Sequence, residues 1–285
     1  MRLTVLADNN TLTDHYFLGE PGLSILVEHE GQQTLLDAGY SDVFLQNAVK
    51  MGLDLLQLDR VVLSHGHLDH TWGLTALIRL RTEAAIERRN VVETELLAHP
   101  LALQSKSRDY LPEIGSLLSA DQLGRHFRLN LREQPMQLGE GLYYLGEIPR
   151  RFAFERMDQR GRRRWGPDGP QPDALVDDTA LAFRCARGLV LITGCSHSGI
   201  CNIAAQAMDV TGVSRIVDII GGLHLLKASK ERLEKTVDYL TGVGLEALHA
   251  CHCTDLEAKI ALAGGLPVRE TGSGLVLEYP DAVMA

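Results

Sequence analysis

Short apolar runs punctuated by turn residues recur along the chain. Leu3-Thr4-Val5-Leu6 ends at Asp8-Asn9-Asn10, Leu23-Ser24-Ile25-Leu26-Val27 ends in the stretch Glu28 to Gly31, and Gln33-Thr34-Leu35-Leu36 stops at Asp37-Ala38-Gly39. Runs of this length bounded by Asp, Asn and Gly predict strands, with the second and third joined as a hairpin. Residues 41–51 carry Val43, Leu45, Val49 and Met51 at rough helical spacing. Asp59 to Leu63 reads as a buried strand, Leu74 to Arg89 as a helix rich in Leu, Ala, Arg and Glu, and Glu95 to Ala98 as a strand ending at His99-Pro100. Residues 101–125 read as short helices and loops, and Phe127 to Tyr144 as two or three antiparallel strands.

The second half repeats the alternation. Strands are expected at Leu181 to Cys185, Gly188 to Thr193, Ile216 to Ile220, Leu245 to Ala250 and Leu275 to Glu278; helices are expected at about 200–211, 230–241 and 256–263. Residues 149–178 are the least regular part, rich in Pro, Gly and charge, and an ordered loop that long is uncommon unless it serves function. We expect this segment to lie over the active site. No linker rich in Gly, Ser or Pro interrupts the midpoint, so two β-rich halves with helices outside predict a single α/β (α+β) domain over 1–285.

Composition narrows the class. The 285 residues are 45% hydrophobic and 23% charged, as in a soluble globular protein. A formal charge of -9 argues against nucleic acid as a partner, since phosphate binding needs clustered Lys and Arg. Arg150, Arg151 and the run Arg160 to Arg164 are the local exception. Arg forks suit phosphate, so these side chains could meet an anionic small-molecule substrate; a solvated charged loop is the alternative. Five cysteines at 185, 195, 201, 251 and 253 do not form a small disulfide framework and suggest a reducing compartment. The opening MRLTVLADNN lacks a signal-peptide arrangement, and no apolar run approaches the ~20 residues of a membrane span. A cytoplasmic protein without a membrane partner is expected; oligomeric state stays open.

The chemistry lies at strand ends. Six of the 11 histidines (His65, His67, His70, His197, His224 and His252) follow predicted apolar strands. Sites in α/β folds collect where strands end and loops converge. His65-x-His67-x-Asp69-His70 packs four ligand-type side chains into six residues. Imidazole suits zinc, iron and copper, and a carboxylate admits harder ions such as manganese. The four-residue helical spacing of HExxH is absent.

HxHxDH after a strand is the signature of the metallo-β-lactamase fold superfamily, which this chain resembles. Leu36-Asp37-Ala38-Gly39, Gly194-Cys195-Ser196-His197-Ser198-Gly199-Ile200, Gly221-Gly222-Leu223-His224-Leu225, His252-Cys253-Thr254 and the opening Leu6-Ala7-Asp8-Asn9 extend the likeness over nearly the whole length. Together they resemble the branch named for dihydropterin-ribofuranosyl-aminobenzene phosphate synthase. The resemblance implies a four-layer αββα sandwich holding one or two divalent metal ions, zinc first, with iron or manganese as alternatives. His65 and His67 would bind the first ion, and Asp69 and His70 the second. His197 and His252 would complete the set, and Asp37 would steady the His-rich loop, unless it is a plain turn residue. Relatives commonly supply a bridging Asp, but Gly194-Cys195-Ser196-His197 stands at that place, so a shared carboxylate is not expected by default. His224 could be a ligand, a substrate contact or a general acid. Cys195 could be a thiolate ligand or a small buried residue; Cys251 and Cys253 read as packing, and His99 as a rim residue.

The implied function is a metal-dependent hydrolase using activated water on a small ester, phosphoester or lactone, with Asp69 and His224 as catalytic candidates. The alternative is a transferase of the pterin-synthase kind. A metal sensor or flavin-linked redox protein is a third class, weakened by the lack of a flavodoxin-like segment after residue 285.

Overall fold

The computed structural model describes residues 1–157 and 161–280. In chain order its strands are β1 (Arg2–Ala7), β2 (Ser24–His29), β3 (Gln32–Leu36), β4 (Arg60–Val62), β5 (Glu95–Ala98), β6 (Ser105–Arg108), β7 (Arg128–Leu131), β8 (Met136–Gly139), β9 (Leu142–Tyr144), β10 (Arg162–Gly166), β11 (Gly169–Pro172), β12 (Ala180–Cys185), β13 (Gly188–Thr193), β14 (Ile216–Gly222), β15 (Ala247–Cys251) and β16 (Val276–Glu278). The helices are α1 (Val43–Lys50), α2 (Leu68–Thr71), α3 (Leu74–Ile86), α4 (Ala120–Leu123), α5 (Ile200–Thr211), α6 (Lys230–Thr241) and α7 (Leu256–Ala263). The chain divides into two compact units. The first comprises Met1–Glu133, Gln159–Asp177 and Gly272–Glu278, and the second Gln134–Asp158, Asp178–Thr271 and Tyr279–Ala285.

The first unit carries a seven-stranded sheet of order β16-β1-β2-β3-β4-β5-β7. β1, β2, β3 and β16 pair antiparallel, whereas β3, β4, β5 and β7 run parallel. The central parallel strands β4 and β5 are mostly apolar and largely buried. Phe44 and Ala48 of α1, Leu74 and Leu77 of α3 and Leu123 of α4 pack with Leu26, Leu35, Val61 and Leu96 of the sheet. Each such side chain contributes about 1.5–3 kcal/mol on burial, so this contact outweighs the helices' own propensities.

Three local expectations change here. The buried face of α1 is Phe44, Asn47 and Ala48, and Val49 is exposed. Asn47 is tolerated there because its amide donates to the carbonyls of Leu6 (2.7 Å) and Leu18 (2.8 Å) and accepts from the Leu18 N–H (2.9 Å). β7 is not a partner of β8 and β9; it lies parallel to β5, a pairing that local pattern does not encode. Part of the irregular stretch is ordered as the hairpin β10–β11, which joins β6 in a three-stranded sheet of order β11-β10-β6. Its strands read RRRWG and GPQP, with no apolar alternation to announce them. Pro is compatible with β11 because that strand is an edge.

The second unit carries a six-stranded sheet of order β15-β14-β13-β12-β9-β8, in which β13, β14 and β15 run parallel. Ile200, Ile203 and Ala207 of α5, Leu240 of α6 and Leu262 of α7 pack with Ala182, Leu191, Ile219 and Leu248 of this sheet. In each unit the parallel strands point the same way, so the loops after β3, β4 and β5, and those after β13, β14 and β15, gather at one sheet edge. Every His of the six-residue set follows one of these strands. Among the described residues, no helix is long and apolar enough to cross a membrane.

Candidate metal centre

In the first unit, the chain leaves β4 as Ser64-His65-Gly66-His67 and enters the single turn α2 at Leu68. Gly66 is required by contact: a Cβ there would stand 2.3 Å from the Ala102 carbonyl oxygen. The loop is therefore pressed onto the backbone after β5, and the flanking imidazoles are held side by side. His65 Nε2 and His67 Nδ1 are 3.0 Å apart, and His70 Nε2 is 3.8 Å from Asp69 Oδ2. Two donors about 2.1 Å from a tetrahedral zinc ion lie roughly 3.4 Å apart, so both pairs have the spacing of ligands that share an ion. These are the same two pairs, His65 with His67 and Asp69 with His70, that the sequence analysis took as candidate ligands.

Asp37 fixes this loop. Its backbone is left-handed (φ 59°), which turns the carboxylate back from the end of β3. The carboxylate accepts the Ser64 amide (2.7 Å), the Ser64 hydroxyl (2.6 Å) and the His70 Nδ1–H (2.6 Å). With the proton held on Nδ1, the unprotonated nitrogen of His70 is Nε2, the tautomer that metal-binding imidazoles commonly adopt.

A second support comes from Asp177, near the end of the irregular stretch 149–178. Asp177 accepts the Gly66 amide at 2.9 Å and the Lys106 ammonium at 2.8 Å through each oxygen. Lys106 has no solvent exposure and also meets Asp173 at 3.3 Å. Burial opposes charge on Asp177, but the Lys106 ammonium, His67 and the Gly66 amide together hold the carboxyl below its usual range. Burial, with the Lys106 charge next, lowers the pKa of His67 to about 3. The imidazole is neutral near pH 7, the form a metal ligand requires.

In the second unit, Asp178 accepts the amides of His197 (3.0 Å) and Ser198 (2.9 Å) and so shapes the loop after β13. Cys195, His197 and His224 each bring a ligand atom within 4.8 Å of the others. The His197 and His224 rings lie 4.3 Å apart, and the Nδ1 of His224 is buried with no hydrogen-bond partner among the described residues. A buried lone pair without a partner is costly in a dry site, and an ion would satisfy it. His224 (φ 49°) and His252 (φ 52°) both adopt the left-handed conformation, at about 1–3 kcal/mol each for a non-glycine residue. His252 lies beside Gly222, where a Cβ would approach its Cδ2 to 3.3 Å. Cys253 is more than packing: its thiol donates to the Cys195 carbonyl (3.4 Å) and accepts the His224 amide (3.2 Å).

The remaining candidates disperse. The Nδ1 of His99 accepts the Leu101 amide at 3.1 Å and caps a short helical turn. Arg151 pairs with Asp209 on the exposed surface of the second unit. Arg160 lies outside the described residues; Arg162 is the exception, buried on β10 with its charge acting on His67, while Arg163 is exposed and Arg164 donates to Gln104 at 3.1 Å. Imidazole with carboxylate in the first unit, and imidazole with thiol in the second, are donor types that divalent metal ions take.

Comparison with known proteins bears on the family and the fold. Residues 18–203 match the model of the metallo-beta-lactamase superfamily. The chain is 27% identical over 269 residues to the 7,8-dihydropterin-6-methyl-4-(beta-D-ribofuranosyl)-aminobenzene-5'-phosphate synthase of Methanocaldococcus jannaschii, covering 91% of this chain and 89% of that protein. Its fold superposes on Tm1679, described as a metal-dependent hydrolase of the beta-lactamase superfamily, with a TM-score of 0.82 and 29% identity over 99% of this chain and 100% of the other. Zn(2+)-bound PqqB from Methylobacterium extorquens shares the fold alone, with a TM-score of 0.53 and 12% identity over 98% of this chain and 100% of the other. The chain belongs to the metallo-beta-lactamase superfamily.

Proposed function

We propose that the protein is a metal-dependent hydrolase of a small, anionic ester, phosphoester or lactone, with His65, His67, Asp69, His70, His197 and His252 as ligands of one or two divalent ions. The observation that carries this reading is the pair of donor spacings in the His-rich loop, 3.0 and 3.8 Å, held by Asp37 and Asp177. A divalent ion in such a site supplies Lewis acidity, lowering the pKa of water and polarising the oxygen under attack. The chain's own groups do the rest. Asp69, whose side chain is 28% exposed, reaches solvent and orients the attacking water by accepting its hydrogen bond. His224 donates a proton or hydrogen bond to the charge that develops on the substrate, unless its buried Nδ1 is itself a ligand. Cys195 is a further candidate ligand through its grouping with His197 and His224.

A second reading is a transferase that joins an aromatic amine to a pterin alcohol. It is favoured by the named synthase, whose similarity spans nine-tenths of this chain. Assays of the metal-loaded protein against phosphodiester, phosphomonoester and lactone panels, beside a coupled pterin-and-arylamine assay, separate the two. Turnover confined to the coupled assay would displace the hydrolase reading.

A further inference from the structure

A second cleft lies in the second unit, at the opposite ends of the strands that carry His197 and His224. It has a volume of about 550 Å³, within the range of small-molecule sites. Arg184, Arg187 and Arg215 line it, together with Gly188, Gly212 and Ser214, and none of its lining residues is a carboxylate. β13 runs from Gly188 at this cleft to Thr193, just before Cys195 and His197. At about 3.3 Å per residue, the cleft and the histidine cluster are roughly 17 Å apart within the same unit.

The arginines are prearranged. Glu246 accepts from Arg187 and, at 2.8 Å, from Arg215, which brings two guanidinium groups to one carboxylate. Each guanidinium has five N–H donors, so this pairing leaves most of them available. Arg184 lies on β12 opposite Leu189, and Arg187 lies in the two-residue turn that joins Cys185 to Gly188. Gly188 (φ 149°) admits no side chain here, since a Cβ would meet the Arg215 carbonyl oxygen at 2.7 Å. Three guanidinium groups line the cleft, and the carboxylate that pairs with two of them, Glu246, is not among its lining residues. That local cluster of cations occurs in a chain whose formal net charge is -9.

We propose that this cleft binds a small molecule through a phosphate or diphosphate group. Guanidinium forks match phosphate oxygens two at a time, and a concave site of this size suits a compact ligand better than a nucleic-acid backbone. The inference does not depend on the metal chemistry proposed above.

Isothermal titration of the full chain, with its metal as isolated, tests it. The probes are inorganic phosphate, pyrophosphate and ADP. Because phosphate could also meet the metal centre, the same titrations are run on His67→Ala and on Asp69→Asn. Binding of pyrophosphate or ADP that survives in either of these variants, and weakens at least about tenfold in each of Arg184→Gln, Arg187→Gln and Arg215→Gln, supports the site. Tighter binding of ADP than of pyrophosphate adds contacts beyond the phosphates; equal binding leaves the phosphates as the recognised group, and both agree with the proposal. Unchanged affinity in the triple arginine variant, loss of binding in both metal-site variants, or no binding of any probe at millimolar concentration overturns it. Failure here leaves the hydrolase assays untouched, and failure of those assays leaves this titration interpretable.

Discussion

A lysine without solvent exposure must be held by carboxylates, and Lys106 is held by Asp177 and Asp173. Replacing it with Met would strand two buried carboxylates, at a cost of about 3–5 kcal/mol. Urea unfolding of Lys106→Met should show a loss of that size; a loss below about 1 kcal/mol would mean that the ion pair adds nothing. Asp37 has a different task, since it fixes the tautomer of His70 and the pose of Ser64. Asp37→Asn preserves the shape but not the acceptor pair, so metal affinity should fall about 10–100-fold in a competition titration with a chelator. Unaltered affinity would reduce Asp37 to a turn residue. The candidate ligands of the His-rich loop were legible in the sequence because HxHxDH is local. Their supports were not: Lys106 reaches Asp177 across 71 residues, and Gly66 reaches it across 111. No periodicity reports a contact at that separation.

Elements place these residues by simple steric and electrostatic rules. Helix α5 begins directly after the His197 loop, and the buried Glu155 accepts the amides of Cys201 (2.8 Å) and Asn202 (2.9 Å) at its N-terminus. Burial raises the pKa of Glu155 above its ordinary value of 4.5 even though these amides favour the charged form. The folded chain thus holds the proton more tightly than the unfolded chain. Stability from this group is complete below the unfolded value and is lost as pH rises through the folded one. Wild type should therefore lose stability relative to Glu155→Gln as pH rises from about 4.5. Parallel urea midpoints across that window would contradict the assignment. Gly66→Ala should disrupt the His-rich loop, because its Cβ meets backbone rather than a yielding side chain. Strand positions with apolar sequences were readable, as β13 (GLVLIT) and α5 show. The hairpin β10–β11 was not, because its side chains are charged or turn-forming and its order comes from pairing with β6.

At the scale of the whole molecule, we read residues 1–285 as one catalytic domain, although two compact units are distinguishable. One domain predicts a single cooperative unfolding transition seen alike by fluorescence and circular dichroism; two separated transitions would make the units independent. An ion that binds only the folded chain adds RT ln(1 + [L]/Kd), about 4 kcal/mol at a thousandfold excess over Kd, so chelation should lower Tm clearly. The most direct measurement is metal content by mass spectrometry of wild type, His67→Ala and His197→Ala, purified alike. The proposed ligand set predicts one or two ions per chain in wild type and a marked loss in each variant. A wild-type chain that hydrolyses its substrate without metal, or variants that keep the full complement, would contradict it.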